Sequence, residues 1–167
     1  MQHRCWCRSG RWSRGVRSGN FSFVFAIHFI YASILFLKCN TKISIHSVLE
    51  VDLRGQANAE CIEGATFSVT GGLLDFVRGT FALLRGKSFL AFYSTAKSDT
   101  ISRVVPHLAS GSVVTTPRAD THYLITEQGI VNLKGKSTRE RAFAIVSLAH
   151  PKFRNELMRQ AEDMYLI

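Results

Sequence analysis

Apolar positions change period several times downstream of Thr41, and each change predicts an element. Ile43, Ile45, Val48, Leu49, Val51 and Leu53 form a strand-like run, which Arg54-Gly55-Gln56 turns. Thr66 to Thr70 is a short β-prone run. Gly71 and Gly72 follow, and then Leu73, Leu74, Val77, Phe81 and Leu84 recur at helical spacing until Gly86. Ser88 to Tyr93 is almost continuously apolar, as in a strand buried on both faces. Ser94 to Thr100 reads as polar loop, and Ile101 to Leu108 as another strand ending near Pro106. Two β-branched runs, Val113 to Thr116 and Tyr123 to Thr126, flank the turn Pro117 to Asp120. Glu127-Gln128-Gly129 turns the chain into a last strand, Ile130 to Leu133.

Ser137-Thr138-Arg139-Glu140 fits a capping box, with Ser137 at the N-cap and Glu140 reaching back. Ala142, Ile145, Val146 and Ala149 lie on one face of the helix that follows. Pro151 ends that helix at His150, and a second helix carries Phe153, Leu157, Ala161 and Met164. The alternation of strands and helices predicts an α/β domain over residues 41–167.

Residues 1–40 have a different texture and are expected to be a leader outside the domain. Residues 1–20 are rich in Arg, Ser and Gly without apolar periodicity. Phe21 to Leu37 is then an uncharged, almost wholly apolar segment. Three readings compete for it: a signal anchor, an ordinary buried segment, or sequence foreign to the fold. The abrupt change at Asn40 favours the third. The formal charge of +9 has the same origin. Arg4, Arg8, Arg11, Arg14, Arg17 and Lys38 meet no acid within residues 1–40, and the rest of the chain is near balance. No basic stripe interleaved with aromatics follows, so nucleic acid is not an expected partner.

Cys5, Cys7, Cys39 and Cys61 lack zinc-like spacing and are expected to be free thiols, with no metal. Gly71-Gly72 sits where a strand-like run meets a helix, so its backbone can approach a ligand and the helix start can offer N–H groups to an anion. A glycine pair at such a junction is more often simply a tight turn. Lys97 occupies a loop after a buried strand, a place for a phosphate contact or for a solvated lysine. Glu127 is either a turn carboxylate or a base. His107, His122 and His150 stand at element ends and read as structural. No P-loop, dinucleotide fingerprint or nucleophile elbow is present.

Several of these pieces together resemble one family. They are Ser47–Gln56 (SVLEVDLRGQ), Gly71–Gly79 (GGLLDFVRG), Ser94–Lys97 (STAK), Ile101–Pro106 (ISRVVP), Val114–Arg118 (VTTPR), Thr126–Ile130 (TEQGI) and Leu133–Ala142 (LKGKSTRERA), with Ala149-His150-Pro151 after them. In this order they resemble the C-terminal part of the acetyl-CoA hydrolase/transferase family, which includes acetate, butyrate, succinate and 4-hydroxybutyrate CoA-transferases. The resemblance implies the NagB/RpiA/CoA-transferase-like α/β fold, with a mixed or parallel sheet flanked by helices. It implies coenzyme A thioesters as substrates, a short-chain carboxylate as acceptor and no permanently bound cofactor.

The family's glutamate attacks the acyl-CoA and forms a glutamyl-CoA thioester in a site between two domains. Gly71 and Gly72 inherit the oxyanion and CoA-binding role, and Lys97 the phosphate contact. The nucleophile belongs to a Gly-Ile-Gly-x-Ile-Pro-like segment with no counterpart here, so the chain by itself is expected to be inactive. It would then be a fragment, or would act with a separate N-terminal half or as a homo-oligomer, in the cytoplasm; the alternative is a membrane-anchored protein held through residues 21–37. Departures fall near the expected site. Val69-Thr70-Gly71-Gly72-Leu73 replaces Gly-x-Gly-Gly-Gln, Tyr93 stands for a proline, and Ser98-Asp99 for Gly-Gly.

Overall fold

The computed structural model describes residues 42–167 and, upstream of them, the two-residue strand Cys5–Trp6. The run Phe21–Leu37 and the remainder of the leader lie outside the described residues. In chain order the elements are β1 (Cys5–Trp6), β2 (Ile43–Ser47), β3 (Glu50–Asp52), β4 (Ala57–Asn58), β5 (Cys61–Ile62) and β6 (Ala65–Thr66). They continue through α1 (Leu73–Ala82), β7 (Lys87–Ala91), β8 (Thr95–Ala96), β9 (Ile101–Ser102), β10 (Val104–Val105), β11 (Tyr123–Thr126) and β12 (Gly129–Asn132). Two helices, α2 (Thr138–Leu148) and α3 (Pro151–Asp163), complete the order.

The main sheet has the order β1-β2-β7-β11-β12. Its centre is parallel: β2 pairs with β7, and β7 with β11. Antiparallel strands flank it, β1 on β2 and β12 on β11. This is the mixed sheet flanked by helices that the sequence predicts. The apolar run from Ile43 to Leu53 is two strands rather than one. At Val48 the chain leaves the main sheet, where the Val48 amide still donates to the Ala91 carbonyl, and β3 joins a second sheet of order β10-β3-β4. Consecutive apolar residues at Val48 and Leu49 break the alternation at that point.

Two expected β runs do not form. Of Thr66 to Thr70 only Thr66 lies in a strand, β6. Val113 to Thr116 makes only an isolated bridge, Thr116 to Ala57. Its polar side chains take over the hydrogen bonding: Thr115 Oγ1 accepts from the Ala59 amide at 3.0 Å and donates to Glu60 at 2.8 Å. Short pairings also interrupt the expected loop at Ser94–Thr100, where β8 pairs with β9.

The helix signals are obeyed closely. Ser137 and Glu140 complete both halves of the capping box, and the C-terminal helices break between Ala149 and Pro151, with His150 capping the second. One buried face of the main sheet, with Ser44, His46, Ser88, Leu90, Leu124 and Thr126, looks toward the helices. The core gathers Val51, Leu53, Val77, Leu90, Val104, Leu124, Leu133, Ile145 and Leu148, each essentially inaccessible.

Candidate functional site

The carboxyl edge of the parallel strands is where open α/β sheets place ligands. Helix α1 reaches that edge because it runs antiparallel to its neighbours. Thr80 in its later half bonds Ser44 near the start of β2, with oxygens 3.0 Å apart. Phe76 in its first turn stacks near His46 further along β2, at 5.9 Å between ring centres. The start of α1 therefore lies toward the strand ends. Gly71 and Gly72 form that start, as the sequence predicts.

The two glycines are there for different reasons. Gly71 has φ +55°, in the left-handed region where a side chain is strained. Gly72 has φ −94°, which any residue adopts, and a Cβ added there would make only ordinary contact with the Phe76 ring, at 3.4 Å. The turn thus accounts for Gly71, whereas the fold does not demand the bare backbone at Gly72. No side chain caps the helix. Its first N–H groups, which no intrahelical carbonyl can satisfy, remain available to an anion or oxyanion.

The β5–β6 hairpin joins this start to the loop of Lys97. At its foot the buried Glu60 carboxylate accepts from Thr70 Oγ1 and Thr115 Oγ1, both at 2.8 Å. The Glu60 carbonyl also accepts from the amides of Phe67 and Ser68. Glu60 thereby fixes the chain just ahead of the glycines. At the hairpin's tip Glu63 meets the Lys97 ammonium at 3.3 Å, with both side chains largely in solvent. Lys97 is thus anchored loosely enough to exchange Glu63 for another anion, since an exposed pair of this kind contributes at most about 1 kcal/mol.

Glu127 follows β11, and Ser94 lies just beyond β7. The Glu127 carboxylate accepts from the Ser94 amide at 3.0 Å and from the Ser94 hydroxyl. Partial burial opposes its ionisation, but the two Ser94 bonds prevail and hold its pKa below the usual glutamate range. Glu127 is therefore an ionised clamp between two strand ends, the turn role of the two that its sequence position allowed. His122 is packed between Phe81 and Tyr123, and burial, with Lys134 and Lys87 beside it, holds it neutral below the usual histidine range.

Comparisons with known proteins identify the family. The family model for the acetyl-CoA hydrolase/transferase C-terminal domain matches residues 20–161. The chain belongs to the acetyl-CoA hydrolase/transferase family. It is 46% identical over 127 residues to a succinyl-CoA:cyclohexane-1-carboxylate CoA transferase of Geobacter metallireducens, an alignment covering 76% of this chain and 29% of that protein. It is 45% identical over 124 residues to a probable butyrate:acetyl-CoA coenzyme A-transferase of Syntrophomonas wolfei, covering 73% and 28%. Among solved structures, RipA from Yersinia pestis superposes with a TM-score of 0.70 at 50% identity, over 75% of this chain and 28% of RipA.

This acetyl-CoA hydrolase/transferase domain thus spans less than a third of the length of those relatives. Of its sequence-predicted site residues, the fold ties Gly71, Gly72 and Lys97 to one hairpin. Two participants were missed: Glu60, a lone acid with no periodic signal around it, and Ser94, whose part depends on Glu127, 33 residues away. Among the described residues no helix is long and apolar enough to cross a membrane; the run Phe21–Leu37 is not among them.

Proposed function

We propose that residues 41–167 form the coenzyme A-binding part of an enzyme that moves CoA between an acyl-CoA and a short-chain carboxylate. The observation that supports this most directly is the uncapped start of α1 at the carboxyl edge of a parallel sheet, with Gly72 bare where the fold would accept a side chain. Attack of a carboxylate on a thioester puts negative charge on the carbonyl oxygen, and backbone N–H groups at a helix start stabilise that charge. The CoA thiolate leaves, giving an acid anhydride, and then attacks the carbonyl carbon of the former attacking carboxylate, expelling the acyl group as its carboxylate. This yields an enzyme-bound thioester and a free carboxylate, and an acceptor carboxylate reverses the sequence. Lys97 supplies a cation for a CoA phosphate, with Glu63 holding it until the phosphate arrives. Glu127 and Ser94 keep the two strand ends in fixed relation below the bound thioester.

The attacking glutamate, on the family pattern, lies in a segment that these 167 residues do not include. The chain therefore binds CoA without turning it over. Isothermal titration with coenzyme A is expected to show binding that Gly72→Ala weakens about tenfold, or ~1.4 kcal/mol, while thermal unfolding of the variant stays close to the parent's. Lys97→Ala is expected to weaken it severalfold, more so at low salt. In parallel, incubation with acetyl-CoA and labelled acetate or succinate is expected to give no exchange above background. Absence of CoA binding would overturn the site assignment, and exchange by the chain alone would overturn the placing of the nucleophile elsewhere.

A further inference from the structure

Glu60 is only 9% exposed, yet no ion pair among the described residues includes it. Its main chain is committed on both sides. The amide donates to Asn58 Oδ1 at 2.9 Å, and the carbonyl accepts from the Phe67 and Ser68 amides at 2.7 and 3.0 Å. One carboxylate oxygen is committed as well. Thr115 Oγ1 accepts from the Ala59 amide, so its proton is turned to Glu60 Oε1, and Thr70 Oγ1 donates to the same atom. The other oxygen, Oε2, receives no donor from the described residues. A carboxylate oxygen accepts and does not donate, and a buried acceptor left empty costs free energy. The fold therefore holds an open acceptor, through Thr70, at the residue that precedes Gly71.

We infer that Glu60 Oε2 accepts a hydrogen bond from the substrate, from the amide N–H nearest the sulfur in the pantetheine arm of coenzyme A. The inference rests on the CoA reading above and adds a contact to it. In that reading the thioester carbonyl takes the free N–H groups at the start of α1. Two methylene groups separate the thioester sulfur from this amide nitrogen, so the N–H lies a short step from the helix start, where Thr70 holds Glu60. An N–H is the group that an empty carboxylate oxygen lacks, and a bond with a carboxylate acceptor is among the stronger ones. A CoA phosphate does not suit the same place, because two anions would meet there without a cation between them. Glu60 thus selects the neutral, N–H-bearing part of the ligand, and Lys97 the phosphate.

The test uses the full chain and two readouts. In the first, coenzyme A labelled with nitrogen-15 at that amide is titrated with the parent protein. The amide proton resonance is expected to move downfield as the N–H meets the carboxylate. In the second, isothermal titration compares the parent with Glu60→Gln. The glutamine keeps a carbonyl oxygen for the two threonine hydroxyls and presents N–H donors in place of Oε2. The variant is expected to unfold near the parent's midpoint and to bind CoA about tenfold more weakly. The direction is diagnostic, because removing a negative charge would by itself tighten the binding of so anionic a ligand. Unchanged or tighter binding by Glu60→Gln would overturn the contact, and so would an amide resonance that stays in place or moves upfield. If Glu60→Gln does not fold, the resonance decides alone. A parent chain that binds no CoA brings down the CoA reading and this contact with it; a parent that binds CoA with its amide resonance unmoved brings down the contact only.

Discussion

Lys97, Ser98 and Asp99 follow one another in left-handed backbone, with φ of +49°, +54° and +62°. Non-glycine residues resist that region because Cβ crowds the carbonyl, at roughly 1–2 kcal/mol each. Asp99 offsets part of this through its carboxylate, which accepts from Thr95 Oγ1, and Thr100 Oγ1 donates to the Lys97 carbonyl at 2.7 Å. No hydrogen bond compensates the Ser98 side chain in the same way among those described. Ser98→Gly is therefore expected to stabilise the domain by roughly 0.5–1 kcal/mol, the gain from relieved strain less the larger chain entropy of glycine. The midpoint of urea unfolding at constant m-value measures it, and an unchanged or lower midpoint would show that the loop is not strained at Ser98. The resemblance places Gly-Gly at Ser98-Asp99, so the departure was legible in the sequence. Its physical meaning, three successive left-handed residues beside Lys97, was not.

Among elements, the last strand–turn–helix unit is held by one side chain. Arg141, in the first turns of α2, donates to the carbonyl of Arg54 at 3.1 Å, of Leu133 at 3.1 Å and of Arg118 at 2.6 Å. Those carbonyls belong to the β3–β4 turn, the end of β12 and the loop before β11. One guanidinium thus fastens three connections to a helix start, and its planar fork of donors suits that task better than an ammonium. It packs so closely on the β3–β4 turn that a Cβ at Gly55, which has φ +90°, would lie 2.6 Å from Arg141 Nη2. Burial, with Arg118 nearby, lowers the Arg141 pKa without neutralising it. Arg141→Ala is expected to cost about 3 kcal/mol by leaving part-buried carbonyls unpaired, and Arg141→Lys to recover less than half of that. Chemical unfolding of both variants checks it; a loss below ~1 kcal/mol for the alanine variant would show that water replaces the guanidinium. The capping box predicted this helix start from four residues, yet the side chain that docks the helix was invisible. Its partners lie 8, 23 and 87 residues away, beyond any local pattern.

For the molecule as a whole, the shifted groups determine how stability responds to acid. His122 is held neutral, below the ordinary histidine value of 6.5, by burial and then by Lys134 and Lys87. The unfolded chain therefore takes up this proton first, and the contribution of neutral His122 is full above pH 6.5 and is lost as pH falls below it. Glu127 and Glu140 have lowered values against an ordinary 4.5, so their contributions are present above that pH and fall away beneath it. Asp52 works the other way. Burial raises it above 3.8 despite the bonds from Gln56 and Arg54, so between 3.8 and its folded value acidification favours the fold. Two stages of acid destabilisation are expected, the later one partly offset by Asp52. His122→Phe should abolish the first, because an aromatic ring between Phe81 and Tyr123 is retained while the titrating nitrogen is removed. Unfolding midpoints measured between pH 7.5 and 5 decide this: an identical slope in parent and variant would show that His122 does not titrate on unfolding.

At this same scale the division between sequence and tertiary structure is plain. By itself the sequence determined the α/β class, the helix boundaries, the glycine pair at a helix start and the family, because capping, proline breaks and apolar periodicity act within a few residues. Only the tertiary structure decided that Ile43–Leu53 splits between two sheets and that Val113–Thr116 bonds through its threonines rather than as a strand. It alone joined Glu127 to Ser94 and Glu60 to Thr70. Such choices depend on which donors and acceptors meet after the chain has folded back on itself, and a buried polar group is satisfied wherever its partner arrives.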